Sequence, residues 1–382
     1  MSVLFITSKS LGGSGKHITA LASGIRARVQ CDLAYFPSGV AQDTELEASF
    51  SKVHHFPRKP CLDAGAIAAD VRFATGLLAS GRYQAVHTHT SLGGLIGRLA
   101  ARVCRQPIKV IHTLHAYGAD EFTPRPQKWV YWTVEKALDQ LTHRYVSPSH
   151  YTREYGRRTR VIDAGKACVI HNSLPLQPPE ATRVEQRRRL RGELGLADDD
   201  ILFLFCGRLE RQKGVDILLE AARRLGTAVR FKLVLCGVGE QQAPLQRQAR
   251  ALGIEERLVW AGWQADVRPY YAAADVFVMP SRWETFGLVF LEAMNYGLPI
   301  LSTRTQAVPE VVKDGVCGLL SANEDPGELA DNMLRLAGDP DLRAQLGANG
   351  QQLLDRSFSY ETFLRSHLAL YQEMQVPVSV EA

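Results

Sequence analysis

No apolar run in the 382 residues approaches the ~20 that a membrane-spanning helix needs. The opening stretch MSVLFITSKSLGG has no basic residue ahead of its apolar run, which reads as a first β-strand rather than a secretory core, so a cytosolic chain is expected. The seven cysteines (Cys31, Cys61, Cys104, Cys168, Cys206, Cys236 and Cys317) include no C-x-x-C pair. An odd, scattered set argues against a disulfide framework and against zinc. No basic-aromatic stripe marks a nucleic-acid face, and no nucleic-acid partner is expected. The Gly-rich turn Gly12-Gly13-Ser14-Gly15-Lys16-His17 completes neither common phosphate motif. A P-loop needs Gly where Ser10 stands and Ser or Thr where His17 stands. A dinucleotide fingerprint needs its last Gly at Ile18. ATPase and dehydrogenase readings are unsupported.

What the chain does contain is alternation. Strand-like runs at Val3–Thr7, Leu33–Phe36, Val53–Phe56, Ala85–His89, Val110–Thr113, Arg144–Ser147 and Ala167–His171 are separated by helical segments. These include helices over Ile18–Arg28, Asp63–Ser80, Gly93–Arg105 and Lys128–Thr142, with a loop over Ala116–Lys128 and a basic run over Arg153–Arg160. Such alternation predicts a parallel sheet covered on both faces, with ligands at the carboxyl ends of the strands. Leu174–Pro179 reads as an interdomain linker. The charged helix Arg183–Leu194 and the acid run Asp198-Asp199-Asp200 follow. A second sheet then begins: Ile201–Cys206, Phe231–Cys236, Leu258–Ala261, Asp275–Met279 and Pro299–Ser302. The expected domains are 1–175, joined by a last helix over 360–375, and 180–358. Helices over Asn323–Gly338 and Pro340–Leu354 close the second, and the tail from Val376 is expected to be disordered. Residues 1–178 hold 22 Lys and Arg against 12 Asp and Glu, near +10, and the remainder 23 against 28, near −5. A basic half beside an acidic half fits contact with something anionic, such as a membrane face or a lipid diphosphate, or simple steering of a phosphorylated substrate.

Ser281–Pro299 carries the densest chemistry. It follows a buried-looking strand and opens a helix at Phe286-Gly287, with Gly297 and Pro299 as stop signals. Free N–H groups and the helix dipole favour an anion at Phe286, Gly287 and Leu288. Glu284 precedes that helix and Glu292 lies within it, eight positions on. Alone, the pair reads equally well as two solvated acids. Upstream, Gly207-Arg208-Leu209 ends a strand and Lys213-Gly214 precedes the next helix. Arg208 can grip two phosphate oxygens, while Lys213 acts as a point charge.

These segments resemble the signature of the GT4 family of retaining glycosyltransferases, over almost the whole chain and most specifically from Gly207 to Gly318. The resemblance implies a GT-B fold: α/β, two Rossmann-like domains facing across a cleft, with the last helix crossing back to the first domain. It implies a hexosyltransferase that moves a sugar from a UDP- or GDP-linked donor to an acceptor hydroxyl. The acceptor expected is a glycan or lipid-linked glycan of cell-surface polysaccharide or lipopolysaccharide biosynthesis. No cofactor or metal is expected. Arg208 and Lys213 would neutralise the diphosphate, Glu292 would bind ribose, Glu284 would orient the sugar hydroxyls, and Gly13, with Gly12 and Lys16, would close over the donor phosphate. His115 would lie beside the reacting carbon. The turns Gly237–Glu240 and Ala261–Gln264 would line the base pocket. Thr305-Gln306-Ala307 stand where the family has a Gly-rich turn, which puts that loop's contacts in doubt.

Four histidines gather at strand ends: His87, His89, His112 and His115. No acid joins them at ligand spacing, so metal is not expected, and alternation places His87 and His89 on a face away from His115. Trp129, Tyr131 and Trp132 lie in the Lys128–Thr142 helix. They fit either core packing or a peripheral contact with the inner face of the cell membrane through the basic first domain. Two other functions use the same donor pocket: a GT-B nucleotide-sugar epimerase and a non-catalytic nucleotide-sugar-binding subunit.

Overall fold

The computed structural model describes residues 2–9, 12–39, 41–117, 123–176, 183–197 and 199–379. Half of the expected linker, Asp198 of the acid run, the middle of the 116–128 loop and the last three residues lie outside them. The chain forms two compact units, Met1–Leu174 with Tyr360–Ala382, and Pro175–Ser359.

The first unit holds seven strands: β1 (Ser2–Thr7), β2 (Gln30–Tyr35), β3 (Lys52–His55), β4 (Tyr83–His89), β5 (Lys109–Thr113), β6 (Arg144–Ser147) and β7 (Ala167–Val169). All pair in parallel, in the order β3-β2-β1-β4-β5-β6-β7. The second unit holds six: β8 (Ile201–Cys206), β9 (Phe231–Cys236), β10 (Leu258–Gly262), β11 (Val276–Met279), β12 (Ile300–Thr303) and β13 (Gly318–Ser321), in the order β10-β9-β8-β11-β12-β13. Helices cover both faces, so the central strands β1, β8 and β11 are buried at every position. That is why they read as unbroken apolar runs rather than alternating ones. In each unit the order reverses between the first strand and the fourth. Crevices at such switch points, outside the carboxyl ends of the strands, are where α/β sheets take ligands. Both units are therefore Rossmann-like, as the alternation predicts.

The differences are local. The first helix spans Gly12–Ile25 and so begins within the Gly-rich stretch, not at Ile18. The basic run is a helix, His150–Thr159, because the Ser149 side chain caps it by accepting from the Thr152 N–H. A helix over Ala41–Ala48 and strand β13 have no counterpart in the sequence reading. The Lys128–Thr142 helix starts earlier, at Arg125, with Pro126 in its first turn.

The last helix, Tyr360–Glu373, belongs to the first unit. Phe363, Leu368, Leu370 and Tyr371 join Val3, Phe5, Ile18, Leu21 and Ile25 in one core. The Tyr360 hydroxyl donates to the Ala20 carbonyl at 2.6 Å. Among the described residues no helix is long and apolar enough to cross a membrane.

Candidate functional site

In the second unit β8 and β11 are neighbours, with Phe203 opposite Val276 and Leu204 opposite Phe277. The residues that leave these two strands therefore emerge side by side. After β8 come Arg208 and then Lys213 in a short 3-10 turn; after β11 comes the loop to Glu284. Lys213 Nζ and Glu284 Oε2 form an ion pair whose side chains are only 14% and 9% exposed. Arg208 is far more open, and its Nη1 donates to Glu210 Oε1 at 2.5 Å. Each expected phosphate-binding cation thus has an internal carboxylate partner.

The Glu284 loop is rigidly held. Arg282, buried, makes paired hydrogen bonds to Asp216 at 2.8 and 2.7 Å and further bonds to Glu324 at 2.5 and 3.0 Å. Burial, the largest influence on Asp216, pushes its carboxyl up, but the Arg282 hydrogen bonds and charge hold it below its ordinary value. Gln212 Nε2 donates to the Trp283 carbonyl at 3.0 Å, and Thr305 Oγ1 to the Arg282 carbonyl at 2.8 Å. The Ala307 N–H donates to the Glu284 carbonyl at 3.1 Å. Thr305-Gln306-Ala307, where the family pattern has glycines, therefore braces the Glu284 loop, with Gln306 held at φ 42°.

The helix after Glu284 spans Leu288–Asn295, and Gly287 caps it at φ 86°. A Cβ at Gly287 would also lie 2.5 Å from the Phe290 ring, so glycine is required twice over. The helix starts four positions past Glu284, and within its first turn the Phe290 N–H donates to the Gly287 carbonyl at 3.0 Å. Phe286 is buried, with its ring edge-on to Phe358. Glu292 is buried within the helix and accepts a hydrogen bond from the Tyr271 hydroxyl at 2.9 Å. Burial, and next the Glu292 charge, push the Tyr271 phenol well above its ordinary pKa, so it donates. The neighbouring turns pack backbone to backbone: a Cβ at Gly237 would meet the Gly207 carbonyl oxygen at 1.9 Å. Val238 and Trp263 stand exposed on those turns.

In the first unit Gly13 and Lys16 lie in the first turns of the Gly12–Ile25 helix. The strand ends hold a histidine cluster. His87 pairs with the Tyr371 hydroxyl at 2.7 Å and Thr113 Oγ1 at 2.8 Å, and His112 lies on the opposite face, with Nδ1 2.8 Å from Thr88 Oγ1. His89 does meet His115: Nδ1 and Nε2 are 3.0 Å apart. This corrects the expectation from strand alternation. β4 and β5 are adjacent, and the backbone just past Thr113 brings His115 over the His89 ring. His17, on the first helix, packs edge-on against His115 with ring centroids 4.8 Å apart. Burial pushes the His115 imidazole down to about 4 and those of His17 and His89 well below their ordinary value, so all three are neutral at pH 7.

Four residues escape the sequence reading: Glu210, Tyr271, Arg282 and His17. Glu210 alone has a local signal, two positions from Arg208. The others act through contacts formed only by folding.

Residues 11–177 match the family model described as Glycosyltransferase Family 4, and residues 186–353 the model described as Glycosyl transferases group 1. A D-inositol 3-phosphate glycosyltransferase of Thermobifida fusca (strain YX) is 33% identical over 318 residues, 77% of this chain and 70% of that protein. The UDP-Gal:alpha-D-GlcNAc-diphosphoundecaprenol alpha-1,3-galactosyltransferase of Escherichia coli is 29% identical over 269 residues, 69% of this chain and 68% of that protein. The crystal structure of Anabaena Alr3699/HepE in complex with UDP and glucose superposes with a TM-score of 0.85 over 98% of this chain and 100% of that chain, at 23% identity, which is a likeness of fold. The chain belongs to the family 4 glycosyltransferases and has the GT-B fold.

Proposed function

We propose that this enzyme transfers a hexose, with retention at the anomeric carbon, from a nucleoside diphosphate-sugar to a hydroxyl of a lipid-linked glycan. The observation that carries the reading is the convergence of Arg208, Lys213, Glu284 and the Leu288 helix start at one sheet's switch point, with Glu292 further along that helix. Two cations and a helix N-terminus there suit a diphosphate and stabilise the charge that develops as it leaves, without a metal. Glu292, oriented by Tyr271, is assigned to the ribose diol, and Glu284 to the transferred sugar. The turns bearing Val238 and Trp263 are assigned to the base. Gly13 and His115 are assigned to the donor phosphate and sugar on the family resemblance alone. In the step itself the bond from anomeric carbon to phosphate oxygen breaks, and the bond to the acceptor oxygen forms on the same face. The acceptor proton passes to the departing phosphate.

The Escherichia coli relative's name, with its UDP-linked donor and undecaprenol-linked acceptor, supports this donor and acceptor class. So does a surface of the first unit: on the Arg125–Asp139 helix, Trp129, Val130 and Val134 are 69%, 58% and 41% exposed beside Lys128 and Lys136. Exposed apolar side chains flanked by lysines suit the interface of an anionic bilayer. Incubation with UDP- and GDP-sugars, with and without polyprenyl-diphosphate glycans, followed by product analysis, tests the proposal. Nucleoside diphosphate released only with acceptor, beside an α-linked product from an α-linked donor, supports it. An isomerised nucleotide-sugar would mark an epimerase, and binding without turnover a non-catalytic subunit; either result refutes it.

A further inference from the structure

We propose that His17, His89 and His115 form a three-imidazole binding site for a transition-metal ion of the Zn2+ and Co2+ class, within the first unit. One ring nitrogen from each residue lies within 4.8 Å of those of the other two. The orientation of His17 is the first argument. Its Nδ1 lies 2.9 Å from Asn172 Oδ1, an acceptor, so Nδ1 carries the proton and the lone pair is on Nε2. His17 Nε2 is buried and has no hydrogen-bond partner. A ligand histidine fixed through its other nitrogen by an oxygen acceptor is how metal sites set the tautomer.

The second argument is spacing. His89 Nδ1 and His115 Nε2 face each other at 3.0 Å. Two nitrogens bound to one tetrahedral ion at ~2.0–2.1 Å stand ~3.3 Å apart, so these two are already near a coordination edge. The ion replaces the proton they share. That proton moves to the far nitrogen of whichever ring donated it, and for His89 that nitrogen, Nε2, is also buried and without a partner. No net proton is released, because all three rings are neutral beforehand. Three neutral imidazole nitrogens and a fourth, open position match the three-histidine donor set that zinc accepts, and imidazole suits this class of ion better than Mg2+ or Ca2+.

Occupancy takes His115 away from the donor sugar, so the ion is an inhibitor. This consequence rests on the role proposed above for His115; metal binding does not. The test is a Co2+ titration of the full chain, free of any affinity tag, followed by visible absorption and competed with Zn2+. The expected result is a tetrahedral ligand-field band, saturating at one equivalent and without a thiolate charge-transfer band. His17→Gln and His89→Gln should weaken binding at least tenfold (about tenfold to a hundredfold is the usual cost even of a lost orienting partner), and Asn172→Leu should weaken it by a similar factor. The exposed His55→Gln should leave it unchanged. Asn172→Leu removes no ligand atom and decides the matter if a histidine variant does not fold. Absence of the band, a thiolate band, or a band unaffected in the folded variants would overturn the site. Zn2+ bound with no loss of transfer would leave the site standing and remove His115 from the reaction.

Discussion

Glu284→Gln separates the two functions of the Lys213–Glu284 pair. The exchange is isosteric and removes one charge from a pair whose side chains are 14% and 9% exposed. In the ligand-free chain it replaces an ion pair by a contact between the still-charged Lys213 and a neutral amide oxygen, at a cost of about 1.5–3 kcal/mol. The loop survives because Arg282, Gln212, Thr305 and Ala307 hold it independently. Toward a diphosphate the sign reverses. In the wild type the phosphate must share Lys213 with Glu284, and in the variant that competition is gone. If only about 1 kcal/mol of the coupling is recovered, nucleoside diphosphate binds about fivefold more tightly. Transfer nevertheless falls strongly, because the carboxylate assigned to the sugar hydroxyls is missing. Urea denaturation, calorimetric titration with UDP and GDP, and product formation measure the three effects. Unchanged or weaker diphosphate binding in a folded Glu284→Gln protein would refute the shared-lysine picture. Wild-type transfer would remove Glu284 from the mechanism.

Tyr271→Phe keeps the ring stacked on Phe277 and Tyr296 but removes the hydroxyl that donates to Glu292. Nucleoside binding should weaken about tenfold in calorimetry, and a 2′,3′-dideoxynucleotide, which lacks the diol, should show no such difference. Gly214 has φ 65°, and a Cβ there would lie 2.0 Å from the Pro280 carbonyl oxygen. Gly214→Ala must push the Lys213 turn away from the Glu284 loop, so a loss of at least about 1–3 kcal/mol in denaturant melts is expected, with weakened diphosphate binding. Trp129→Ser with Val134→Ser should reduce sedimentation with phosphatidylglycerol vesicles while leaving diphosphate binding unchanged. Equal sedimentation would exclude this helix as the membrane contact.

Much of this architecture is legible because parallel strands are buried on both faces. Ile201–Cys206, Phe231–Cys236 and Arg144–Ser147 match the structure residue for residue. Strand β13, four residues beginning at Gly318, is too short to announce itself and is specified by pairing with β12. The first helix starts at Gly12 because glycine tolerates the φ of 73° with which that helix opens, a freedom that the sequence equally offers to a loop. Arg208 and Glu284 are legible because each sits within five positions of a strand end. Tyr271 and Glu292 lie 21 positions apart, and only the packing of their helices joins them. For His89 and His115, alternation fixes the face of a strand but says nothing of which strand lies beside it. Only the sheet order supplies the neighbour.

The most direct test of the donor site is calorimetric titration of UDP and GDP into the wild type and into Arg208→Ala. The Arg208 side chain is 60% exposed and its ion pair is with the nearby Glu210, so its loss should leave the fold intact. One nucleoside diphosphate should bind the wild type at one equivalent per chain, and the variant at least about tenfold more weakly, the loss of one charge-assisted contact worth about 1.4 kcal/mol or more. Equal affinity in the two proteins would contradict the assignment of the diphosphate to the end of β8.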